Sequence, residues 1–189
     1  MAWELHVKRL GLQHRVGERN RTYGAYQVIV DGQPNANLAG HICECTGPGD
    51  NTANGRNNRL RIAAGTYALS TQFGSHYRSV NYSADATHPP AVLVMGTGAR
   101  SAILVHPAHP PTLYLSSIGC FNPTKPLTAD DDMDFWDSRA RVIDILNSLT
   151  AYDPDAFAPD KIGTNTPIKN ASIIVEGEPM TPVSDAAVV

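Results

Sequence analysis

The sequence predicts a mainly β protein, a sandwich or barrel with one substantial helix over about residues 132–149. Three observations lead there. Charged residues make up 17% of the chain against 42% hydrophobic, with 15 Gly and 14 Pro, a turn-rich composition that favours strands over helices. Short apolar or alternating segments recur between turn signals. One stretch alone carries an apolar stripe at helical spacing. A chain of 189 residues suits one domain and buries roughly 70% of its unfolded surface. Residues 1–176 are therefore read as one β-rich domain and 177–189 as a flexible C-terminal tail.

The elements follow in order. Residues 2–10 (AWELHVKRL) alternate as a strand, with Trp3, Leu5, Val7 and Leu10 on mixed faces. Gln13 to Arg21 reads as a polar loop. Tyr23–Val30 is a strand closed by the Asp31-Gly32 turn, and Leu38–Cys45 is its antiparallel neighbour. That alternation puts His41, Cys43 and Cys45 on one face, Ile42 and Glu44 on the other. Residues 47–58 form a long polar loop, a length that often serves function. Arg61–Phe73 is the next strand. Ala91–Met95 and Ala102–Val105, joined through Gly96-Thr97-Gly98, read as a central apolar hairpin. A second short strand is expected between the Pro-interrupted turn at His109 and Ser117. In the helix, Asp130–Asp132 supply a cap and negative charge at the positive dipole end. Phe135, Val142, Leu146 and Leu149 form its stripe, widened by Trp136 and Ile143. Ala171–Glu176 is the last strand.

Net charge is −3 and no Lys/Arg stripe appears, which argues against nucleic acid as a partner. No apolar run reaches the roughly 20 residues of a membrane helix. The start, MAWELHVKRL, carries no Sec-type signal peptide, so the expected location is the cytoplasm of the producing cell. The three cysteines Cys43, Cys45 and Cys120 are an odd count and do not make a disulfide framework.

The chemistry centres on Ser117-Ile118-Gly119-Cys120, preceded by His106 and His109. A thiol attacks as the thiolate and needs a base or dipoles to form it. Gly119 permits a tight turn whose amides would face a developing oxyanion. His106, at the end of an apolar strand, is the candidate base. His109 competes for that role or adds a second polar group. The competing reading makes Cys120 a small buried hydrophobe and both histidines surface or capping residues. Two carboxylate or metal readings are weak. A strand places His41, Cys43 and Cys45 roughly 6.5–7 Å apart in steps of two, too far for easy chelation, and Asp130–Asp134 lacks the spacing of a calcium loop. No metal or cofactor is expected.

Two ordered motifs, Ile103-Leu104-Val105-His106 and Ser117-Ile118-Gly119-Cys120-Phe121, resemble the catalytic signature of the YkuD-type L,D-transpeptidases. Upstream, Ile62-Ala63-Ala64-Gly65-Thr66-Tyr67 is similar to the segment leading those enzymes into their core strand. It looks closer still to small phage and bacterial proteins with the same His…Gly-Cys pattern, whose Leu-Glu pair Glu44 echoes. The resemblance covers residues 22–122. Asn122 stands where the transpeptidases usually carry Arg, and Pro107-Ala108 replaces their Gly-Thr.

The resemblance implies a YkuD-like β-sandwich or barrel. Cys120 would attack the carbonyl of a peptidoglycan stem peptide, with His106 as base and then acid. Gly119 and Cys120 amides would form the oxyanion hole, and Ser117 would support the loop. His109, Asn122 and Tyr67 would contact substrate. The acyl group would pass to an amine or to water. Without a signal peptide, delivery to the periplasm would need a specialised route, as for a phage lysis protein or a type VI secreted antibacterial effector. An immunity protein or a secretion or phage component would then be a partner. The rival expectation is a non-catalytic β module of a phage or secretion particle.

Overall fold

The computed structural model describes residues 1–53, 59–83 and 87–181. The chain is mainly β with one long helix. Strands β1 (Trp3–Gln13), β2 (Arg21–Val30), β3 (Gln33–Cys45), β4 (Gly65–Thr71), β5 (Val92–Val94), β6 (Ile103–Val105), β7 (Asn122–Thr124) and β8 (Pro167–Glu176) form one sheet. Its order is β6-β5-β4-β8-β1-β2-β3-β7. The sheet curls into a nearly closed barrel, and a parallel bridge between Val105 and Phe121 spans the remaining gap. His106 N–H donates to Phe121 O at 3.0 Å there, and Phe121 N–H to Leu104 O at 2.8 Å.

Register explains which side chains point inward, because residues paired across strands share a face. Leu5 pairs with Val28 on β2 and with Ile173 on β8. Tyr67 pairs with Ile173, and Val94 with Leu69 and Ile103. These residues form one buried cluster. Trp3, Leu5 and Val7 all share this inner face, so they are not on mixed faces as expected. Leu10 is exposed because it alternates outward from Leu5, Val7 and Arg9; the register shift between Arg9 and Gly11 then buries Gly11, Leu12 and Gln13 in succession.

Helix α1 spans Phe135–Tyr152, three residues later than predicted. Its cap is Asp134, whose side chain accepts from Asp137 N–H, rather than the Asp130–Asp132 run. Val142, Ile145, Leu146 and Leu149 join the inner cluster, and Trp3 Nε1 donates to Ser148 Oγ at 3.0 Å. Trp136 does not widen the stripe: it is 65% exposed.

The other end of the barrel is polar. Arg9 and Glu44, both buried, form a bidentate pair at 2.7 and 2.8 Å. Glu178 then accepts from Arg9 Nη1 at 3.0 Å, Arg61 Nη2 at 2.8 Å and Gly49 N–H at 3.0 Å. Leu12 N–H donates to Thr181 O. Gly177–Thr181 is therefore strapped to the barrel, against the expectation of a loose tail from Gly177. The rest of that tail, 182–189, lies outside the described residues, as do 54–58 of the polar loop.

Other boundaries differ, and β8 begins at Pro167 rather than Ala171. Gln13 and Arg21 belong to strands, and β3 begins at Gln33. Arg61 and Ile62 are buried but precede β4. Leu113–Leu115 is loop, since Pro110-Pro111 and the carbonyls taken up elsewhere leave no ladder. β7 was not foreseen, because Pro123 demotes a strand assignment. It pairs only with β3, through His41, Ile42 and Cys43.

Candidate active site

The barrel seam sets the site. Val105 and Phe121 lie in the inner cluster, so their neighbours Leu104, His106, Cys120 and Asn122 alternate to the outer side. There, Tyr77, His106, Ser117 and Cys120 line a cavity of about 760 Å³, together with the loop 111–116. Two elements distant in sequence thus bring the expected thiol and imidazole to one wall.

Two buried arginines hold the loop that carries the thiol. Arg100 donates from Nη2 to Ile118 O at 2.9 Å and Leu60 O at 2.8 Å, and from Nη1 to Asp50 O at 2.9 Å. Arg21 donates to Tyr114 O and Thr128 O, each at 3.0 Å. Neither has a carboxylate partner among the described residues; carbonyl oxygens take their donors instead. Gly119 adopts φ +144°, and a Cβ there would collide with Arg100 Nη2. Glycine is required at that position on both counts.

The turn is closed from within. Ser117 Oγ donates to Cys120 O at 2.8 Å and accepts from Gly119 N–H at 3.4 Å. From below, Cys45 Sγ donates to Ser117 O at 2.9 Å. Cys120 is half-buried. Its sulfur accepts from Leu104 N–H at 3.3 Å and donates to Ala102 O at 3.5 Å. Burial pushes its pKa up to about 12, against the lowering effect of the Leu104 amide and Arg100. At neutral pH it is a thiol. Cys43 and Cys45 are fully buried, with pKa values pushed up by burial to about 11.

His106 is buried, and desolvation lowers its pKa to about 4. Its ring is neutral at pH 7. Nδ1 sits 2.8 Å from Pro107 O, so the proton belongs on Nδ1 and the free lone pair on Nε2. Asn122 fixes this arrangement by donating from Nδ2 to His106 O at 2.9 Å. The Tyr77 ring packs on the imidazole with centroids 4.6 Å apart. No hydrogen bond joins Cys120 to His106: in this resting state the thiol points to Ala102 O.

The remaining expected residues lie elsewhere. His109 is outside the cavity lining; its Nδ1 meets Pro110 O and its ring packs near His76 and Phe135. Asn122 is buried behind His106 and reaches no open space, so it positions rather than contacts a ligand. Tyr67 lies inside the barrel, donating to Ala63 O and accepting from Asn51 Nδ2. Its place in the core strand β4 turned it inward. His41 and Cys43 face Tyr23 and loop residues instead of converging. Among the described residues no group of three or more His, Cys, Asp or Glu is placed to hold a metal.

Sequence reasoning missed Tyr77, Arg100 and Arg21. Tyr77 sits in an irregular loop with no periodicity. The arginines are ordinary in sequence; only their burial against carbonyls gives them a role. Comparison of the chain with family models, with curated proteins and with solved structures finds no match to any.

Proposed function

We propose that this chain is a cysteine acyltransferase of the L,D-transpeptidase or L,D-carboxypeptidase type, acting on peptidoglycan stem peptides. The observation that carries the reading is the shared cavity wall of Cys120 and His106, brought together by the barrel seam. His106 Nε2, the unprotonated nitrogen, would take the thiol proton as Sγ attacks the carbonyl carbon. The C–N bond breaks, the same proton passes to the leaving amine, and a thioester remains. An amine or water then attacks the thioester, its own proton passes through His106 Nε2 to the departing sulfur, and the C–S bond breaks to restore the thiol. Amides of the Gly119-Cys120 turn would stabilise the oxyanion.

Acting on the cell wall implies delivery from the cytoplasm to the periplasm, as by a phage or a type VI system, with an immunity protein as a protective partner. No helix among the described residues is long and apolar enough to cross a membrane. The test is expression with an added periplasmic signal. Wild type should be toxic and Cys120→Ala harmless; equal toxicity sinks the reading.

One observation favours a second reading, a non-catalytic β module of a phage or secretion particle. The resting thiol is bonded to Ala102 O and its pKa is raised to about 12. If His106→Ala leaves both the Cys120 pKa and its reactivity unchanged, the module reading stands.

A further inference from the structure

The charges around the cavity do not cancel. Its lining holds Arg15, Arg19 and Arg59 against Glu18 and Asp132. Both acids are taken by Arg15, at 3.4 Å and 2.8 Å, and Arg15 also stacks on Tyr114 at 4.1 Å. Arg19 and Arg59 have no carboxylate partner among the described residues. The wall groups Cys120 and His106 are neutral at pH 7. The rim is thus net positive on a chain whose net charge is −3.

Arg19 and Arg59 are also held together. Arg19 Nη2 donates to the Arg59 carbonyl oxygen at 2.7 Å, which sets the two residues on one rim although they come from distant loops. Guanidinium groups offer paired donors that match a carboxylate. A cavity edged by uncompensated cations concentrates anions before contact.

We infer that this cavity selects anionic ligands, and that Arg19 and Arg59 are the selecting residues. Resting on the acyl-transfer reading above, the inference assigns the acyl donor a carboxylate beyond the reacting carbonyl. Arg15 is committed to its two acids and does not take part.

Alkylation of Cys120 in the full-length protein tests the charge preference without needing turnover. The buried Cys43 and Cys45 stay silent in the native state. The rate ratio of iodoacetate to iodoacetamide is compared with that of the denatured chain. The native ratio should exceed it about fivefold at low ionic strength, fall as salt screens the rim, and return to the denatured value in Arg19→Gln/Arg59→Gln. A ratio equal to the denatured one, or unchanged by the double substitution, overturns the inference. If the thiol resists both reagents, NMR titration with an N-acetyl dipeptide acid and its amide makes the same comparison, and equal affinities overturn it.

The two proposals fail separately. A charge preference without turnover of any stem peptide removes the enzyme reading and leaves the anion site. Turnover that does not distinguish a carboxylate donor from its amide, with KM unchanged in Arg19→Gln, does the reverse.

Discussion

Arg100 Nη2 lies 2.9 Å from the carbonyl oxygen of Ile118, inside the turn that presents Cys120. The same guanidinium satisfies Leu60 and Asp50 carbonyls, so one side chain joins the polar loop after β3 to the thiol turn. Arg100→Met should lower unfolding free energy by about 2–4 kcal/mol, because buried carbonyls lose charged donors. Chemical denaturation measures this. A change under about 0.5 kcal/mol, the level of an ordinary surface substitution, contradicts the assigned role. Gly119→Ala should lose comparable stability, having both a strained φ and a collision with Arg100.

His106 makes stability fall with acid. Its folded pKa is near 4, below the ordinary 6.5, so the unfolded state takes up a proton first. The contribution is complete above pH 6.5 and is lost as pH drops toward 4, worth roughly 3 kcal/mol for 2.5 units. His41, also lowered by burial and by Arg141, adds to the same trend. His106→Gln should flatten melting temperature against pH between 4 and 6.5. An unchanged slope would remove the assignment.

The neutral pair also shapes the rate profile. Attack by a thiol with Nε2 as base needs both groups neutral, so kcat/KM should be level from about pH 5 upward through neutrality, with its acid limb near 4. A narrow bell centred near pH 7 would mean a preformed thiolate–imidazolium pair and would contradict the resting geometry.

Asn122→Ala should leave the fold largely in place while freeing the His106 backbone and ring. In the enzyme reading kcat falls about tenfold to a hundredfold with little change in KM, the pattern of lost positioning. A large KM effect instead would restore Asn122 as a ligand contact.

The C-terminal strap has its own acid window. Burial raises the Glu178 pKa, but bonds to Arg61 and the Gly49 amide, with the charges of Arg61 and Arg9, outweigh it and the net shift is down. Its stability is present above the ordinary carboxylate pKa and is lost as pH falls through the lower folded value. Since the side chain is 42% exposed, screening limits Glu178→Gln to about 1 kcal/mol. Thermal melts at pH 7 and pH 3 should differ less in this variant than in wild type.

The strands legible in the sequence were those with alternation or apolar runs: β1, β2, the second half of β3, β4, the β5–β6 hairpin and the end of β8. Short strands completed by long-range pairing were not, since nothing local marks Asn122–Thr124 as a partner of His41–Cys43. Cys120 and His106 were found because their residue types stand out. Tyr67 was misplaced because inward or outward direction depends on register, and one step along a strand reverses it; Asn122 keeps the outer side but is buried behind His106. Arg21, Arg100, Arg19 and Arg59 were invisible as a group: two are buried on carbonyls and two rim a cavity, a distinction made only by packing.

The bridge between Val105 and Phe121 has a consequence for how the molecule matures. It joins the two ends of the eight-strand order but closes only the span from residue 105 to residue 121, so its loop-closure cost is below that of pairing β1 with β8. Imidazole and thiol sit on either side of that bridge. A chain in which that span stays open would hold them apart, so imidazole and thiol share a wall only where the seam is closed.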